Sequence, residues 1–106
     1  MFENIENLNK TASIAVSAFG VKGNAVFVQI SENATYFICQ SNKPKYTLRI
    51  CRPNYHTFEE LESEIQWLLN IDDVKICKPI SENGEYVKKI NGCYCTMYKY
   101  IEGMAD

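Results

Sequence analysis

Three apolar runs crowd the first half of the chain, Ala25–Ile30, Ala34–Cys39 and Tyr46–Arg52, and the links between them are short. Each run is dense in Val, Ile, Thr, Phe and Tyr, whose branched or flat side chains suit a pleated surface. Parallel neighbours need a crossover of a dozen or more residues, so these runs are predicted to form an antiparallel meander. Ser31-Glu32-Asn33 reads as a tight turn and Gln40–Lys45, with Asn42 and Pro44, as a polar loop. Pro53 has no N–H to give a ladder and stops the third run.

The segment after the meander has the strongest helical signal. Thr57 with Glu60 three residues on forms a capping box, and Phe58, Leu61, Ile65, Leu68 and Leu69 fall on one stripe. At about 100° per residue Glu62 lies at one edge of that stripe and Glu64 between Leu68 and Ile71, so Glu64 is predicted to be the more covered carboxylate. Upstream, residues 1–19 are partly helical, with Ile5, Leu8 and Ala12 on one face and Gly20 as the stop. Downstream, Val74–Ile80 reads as a short strand that Pro79 confines to an edge or a bulge. Asn83-Gly84 and Asn91-Gly92 then bracket Glu85–Ile90 as hairpin turns, and Cys93–Tyr100 is the last strand. The chain is thus predicted to be a single α+β domain over 1–106. It has a curled antiparallel sheet of about five strands packed on one main helix, with an N-terminal helical segment.

Composition narrows the function. With 106 residues and a net charge of −2, the chain suits one domain and has no polyanion-binding field, so nucleic acid is not an expected partner. No apolar run reaches the roughly 18 residues a membrane span needs, and the acidic, polar start does not resemble a secretory signal; a cytoplasmic location is expected. Five cysteines without a C-x-x-C pair fit neither a disulfide framework nor a zinc site. Cys93 and Cys95 share a strand face, leaving a soft-metal or redox protein as a rival to their use as small hydrophobes.

The order helix, three strands, helix, further strands and a Gly-terminated connector is that of the small lobe of protein-kinase-like enzymes. Four stretches resemble the N-terminal part of the aminoglycoside phosphotransferase family, which includes choline and homoserine kinase-like enzymes. They are Phe19-Gly20-Val21, Ser31–Tyr36, Tyr46–Pro53 and the Glu60–Leu69 helix; Met97–Gly103 is similar to the family's hinge, making 97–106 the start of an interlobe connector. The resemblance implies an ATP-binding lobe. Arg49 would reach the nucleotide phosphates and Glu64 would hold it, while Thr47 would lie over the adenine. The turn holding Ser31 and Asn33 would cover the phosphates with backbone N–H groups, although it lacks a glycine-rich spacing. Met97 would border the adenine pocket, and the backbones of Tyr98 and Tyr100 would offer its edge an acceptor and a donor.

Arg49 stands where such kinases carry Lys, exchanging a point charge for a planar, bidentate cation. The catalytic Asp and the carboxylates that hold magnesium belong to the family's large lobe. Here the aspartates are only Asp72, Asp73 and Asp106, and His56 is followed by Thr57 and Phe58. The resemblance therefore implies a lobe inactive alone, with ATP as its ligand, magnesium expected only with the C-terminal lobe of a parent chain, and self-association through an exposed cleft face that includes Met97. The alternative is a non-catalytic binding module or a degenerate kinase lobe.

Overall fold

A computed structural model describes residues 4–71 and 76–101. The chain is α+β: α1 (Ile5–Ala18), β1 (Asn24–Ile30), β2 (Asn33–Gln40), β3 (Lys43–Cys51), α2 (Phe58–Asn70), β4 (Val87–Ile90) and β5 (Cys93–Lys99). The five strands form one antiparallel sheet in the order β1-β2-β3-β5-β4. Among the described residues no helix is long and apolar enough to cross a membrane.

Alternation along β3 divides the protein into two layers. Leu48 and Ile50 point to one face, where they join Tyr36, Ile38, Cys93, Cys95 and Met97 under Leu8, Ala12, Ala15 and Phe19 of α1. Cys51 points to the other, where Val87 and Tyr98 meet Leu61 and Ile65 of α2. The N-terminal helix thus closes the larger core. Its buried stripe runs Leu8, Thr11, Ala12, Ala15, the 3- and 4-residue spacing of a helix face. Ile5, expected on that face, is exposed instead. Asn4 caps the helix by accepting from the N–H groups of Glu6 and Asn7. At the other end Gly20, at φ 69°, lets Val21 N–H return to Val16 O at 3.2 Å, a Schellman stop.

Helix α2 has the predicted capping box: Thr57 accepts from Glu60 N–H, and Glu60 Oε1 accepts from Thr57 N–H at 2.8 Å. Turns depart more from the sequence reading. The loop expected over Gln40–Lys45 is a two-residue turn, Ser41-Asn42, with φ 53° and 64°, so β3 begins early and takes in Pro44 beside a register shift. Asn91-Gly92 is the expected hairpin turn, positive in φ at both residues. Of the short strand expected over Val74–Ile80, residues 74 and 75 lie outside the described residues. The remainder makes an isolated bridge, Pro79 to Tyr98, because a prolyl nitrogen cannot continue a ladder.

Candidate functional site

The predicted pair meets. Arg49 sits mid-strand on the face that α2 partly covers, and its Nη1 donates to Glu64 Oε1 at 3.1 Å. The two side chains keep 37% and 47% of their surface exposed, so the contact lies at the margin of the α2 layer. Glu64 is not the better covered carboxylate of the helix, however: Glu62 is half-buried and Glu64 exposed. The guanidinium also lies over the Tyr98 ring, 5.4 Å from its centroid, a cation–π contact that holds its plane. Burial raises the Tyr98 phenol pKa, opposed by the cation above it.

Cross-strand partners share a face, so the register places the remaining residues. Thr47 pairs with Phe37 on β2 and Tyr98 on β5, and Arg49 with Thr35 and Thr96, which puts all six on one surface. Asn33, opposite Cys51, lies on the same surface. Tyr100 stacks edge-to-face on Phe37 at 5.3 Å. Arg49, Glu64, Thr47, Asn33, Tyr98 and Tyr100 therefore converge on one sheet face, and its β1–β2 side is open beyond α2.

Two predicted contributors do not join them, and one donor is already used. Met97 is fully buried among the α1-side residues, because the pairing of Arg49 with Thr96 sends the next residue of β5 to the opposite face. It cannot border a pocket on Arg49's side, nor form part of an exposed cleft floor. Ser31 sits in the turn with its N–H donated to Asn33 O at 3.0 Å, while its carbonyl accepts from Arg52 Nε at 2.8 Å. That turn is pinned to the end of β3, and the Ser31 N–H is not free for a phosphate. At the connector, Tyr100 N–H is donated to Lys45 O at 3.0 Å. The ladder has taken the group expected to serve a base edge. Residues 102–106 of the expected connector lie outside the described residues.

Other sequence readings resolve differently. Lys88 keeps only 12% of its side chain exposed and donates to Glu82 at 2.8 Å and Glu85 at 3.0 Å. These hydrogen bonds raise its pKa against the effect of burial. His56 is half-buried beside Glu60, 4.0 Å away. Burial pushes the Cys51 thiol up to about 11 and raises Cys93 and Cys95 as well, so these thiols stay protonated at neutral pH and pack as small apolar groups. Among the described residues no three His, Cys, Asp or Glu side chains converge on a metal position.

Sequence reasoning missed Phe37 and the seat of the Tyr98 ring beneath Arg49. The alternation of Tyr36-Phe37-Ile38 held the signal for the first: with Tyr36 and Ile38 in the α1 core, Phe37 must face Arg49. Two surface depressions, of ≈ 450 Å³ beside the N-terminus of α2 and ≈ 360 Å³ by Lys43, Lys45 and Tyr100, do not include Arg49 or Glu64. The arrangement offers an anchored cation beside an aromatic, partly open sheet face. Such a face can hold a flat heterocycle and steady an anion. No protein-family model matches the chain, and no curated protein is recognisably similar to it.

Proposed function

We propose that this chain is the nucleotide-binding small lobe of an ATP-dependent small-molecule phosphotransferase of the aminoglycoside phosphotransferase type. The observation that carries the reading is the Arg49–Glu64 contact. An exposed ion pair contributes about 0–1 kcal/mol to stability, so the fold gains little by keeping it. As a phosphate anchor it has a clearer use: a guanidinium has five N–H donors, and Glu64 engages one of them. The others can grip the α- and β-phosphates in a charge-assisted fork. Glu64 and the Tyr98 ring fix the fork's direction, and the base lies against Thr47 and Phe37.

The lobe positions the nucleotide and does no chemistry alone. The acceptor hydroxyl, the base that orients it and the carboxylates for magnesium come from a C-terminal lobe of the parent chain, packed over the open face. A cytoplasmic setting fits the need for ATP and for reduced thiols. A degenerate lobe serving only as a protein-binding module is the second reading, favoured by the spent N–H groups of Ser31 and Tyr100 and by Trp67, 65% exposed on α2.

Isothermal titration of the chain with ATP separates the two. Millimolar binding is expected for the isolated lobe, weakened at least about tenfold, or 1.4 kcal/mol, in Arg49→Ala. The unfolding free energy of the variant from urea titration should fall by no more than about 1 kcal/mol. Binding that Arg49→Ala leaves unchanged, or no binding at all, rejects the nucleotide reading.

A further inference from the structure

The two edges of the sheet are unlike. On β4, the four-residue edge strand Val87–Ile90 carries the exposed Lys89, a charge of the kind that deters edge-to-edge pairing, and Lys88, which is tied to Glu82 and Glu85. On β1, Asn24–Ile30 is seven residues long and has no charge and no proline. Val26, Phe27, Val28 and Ile30 are all exposed, four of the nine large exposed hydrophobics among the described residues. Register divides them between the two faces, Val26 with Phe37 on the Arg49 side and Phe27 and Ile30 with Tyr36 and Ala34 on the α1 side. Tyr36 donates to Asn9 of α1 and stacks on Phe27, which places that flank of α1 above β1, and Ile5 lies one turn before Asn9.

We infer that β1 is a self-association edge at which two copies of this chain pair antiparallel about a two-fold axis, joining their sheets into one of ten strands. An outward strand edge is complementary to another strand's backbone. The flanking charges select a second copy in this orientation. Alignment about Phe27 sets Asn24 against Ile30 of the other copy and Val26 against Val28. It also brings Lys22, just before the strand, opposite Glu32, just after it, and the two-fold repeats that pair at the other end. Lys22 and Glu32 are both exposed, and neither makes an ion pair among the described residues. A parallel arrangement would set like charges together.

The β-bulge between Phe27 and Gln29 interrupts the ladder and blunts the edge, and a single strand pair falls short of the roughly 1,600 Å² of a standard interface. The dimer is therefore weak, of the transient class that small interfaces form. The pairing edge is the outer side of β1, two strands from Arg49 although Val26 shares its face, and the inference does not depend on the nucleotide reading.

Sedimentation equilibrium at low salt with charge-reversal variants tests it. Lys22→Glu alone and Glu32→Lys alone each place like charges at both ends, and each should weaken dimerisation about fivefold or more. An equimolar mixture of the two variants restores opposite pairs and should associate within about twofold of wild type. Val26→Lys should be monomeric, with an unchanged thermal midpoint showing that the fold persists. A wild-type chain monomeric at 1 mM overturns the inference. So does association that Val26→Lys leaves intact, or a mixture no stronger than its components.

Discussion

Met97 shows how one residue's placement turns on a single step of register. The sequence reading put it beside a nucleotide; the pairing of β3 with β5 puts it in the α1 core, fully buried. The two roles predict different losses. Met97→Ala should cost about 2–5 kcal/mol in a urea titration, the range for truncating a buried large side chain, and leave ligand affinity unaltered where the fold survives. Thiol accessibility is another residue-scale consequence. Cys39 and Cys77 are half-buried, whereas Cys51, Cys93 and Cys95 are buried. Native protein should therefore release at most two equivalents of thiol to Ellman's reagent quickly, and the other three only with unfolding. Fast reaction of all five would show that the two-layer core opens readily. The Arg49–Glu64 contact was legible in advance as what the family resemblance implies, although the helix angle that favoured Glu64 went with a burial the structure reverses. The side chain beneath Arg49 was not, because which β5 residue lies opposite β3 depends on where two distant segments meet.

At the scale of elements, the sequence reading was best where a signal is local. Thr57 and Glu60 specify their helix end within four residues, and the structure has both reciprocal hydrogen bonds. Removing the cap hydroxyl with Thr57→Ala should cost about 1 kcal/mol, read from denaturant unfolding, and Thr57→Ser should recover most of it. No loss in the alanine variant would mean that packing, not capping, holds this end of α2. The Ser41-Asn42 turn escaped because it has no glycine: two residues with side chains take positive φ there, held by the strands on either side. Val74–Ile80 read as strand from composition, but among its described residues the backbone pairing is one isolated bridge, Pro79–Tyr98. Ile80 N–H and Lys99 N–H are nevertheless satisfied against Met97 and Lys78. An apolar stretch can line a sheet edge without becoming part of the ladder.

For the whole molecule, the sheet-and-helix architecture followed from order and spacing, but the sharing of the core between two helices did not. Periodicity marks an apolar face without saying which surface it meets; α1, poor in large side chains, closes the bigger cluster because alanines allow close approach. The ionisable groups shifted by this packing act together. Cys51, Cys93 and Cys95 have raised pKa values, as do Tyr36 and Tyr98, and Lys88 is raised by its glutamate hydrogen bonds. In each case the folded chain keeps its proton to higher pH than the unfolded chain, so stability falls as pH rises. The fall should begin near pH 9, where an unfolded thiol titrates, and continue past the pKa of about 11 for Cys51. Urea midpoints should thus be level from pH 7 to about 8.5 and then decline. Lys88→Met should flatten the part above 10.5, the ordinary lysine value. Midpoints constant to pH 11 would contradict the burial of these groups.

The two-residue turn at Ser41-Asn42 has a reach far beyond its size. Odd-numbered residues of β3 serve the α2 side and even-numbered ones the α1 core, so chain length between Gln40 and Lys43 sets which side chains are presented to solvent. One inserted residue that shifted the strand would drive the Arg49 guanidinium toward a closed hydrocarbon layer and turn Leu48 and Ile50 outward. Insertions and deletions in this loop should therefore be far less tolerated than its exposure suggests, for its length is the indexing mark that keeps charge out of the oil.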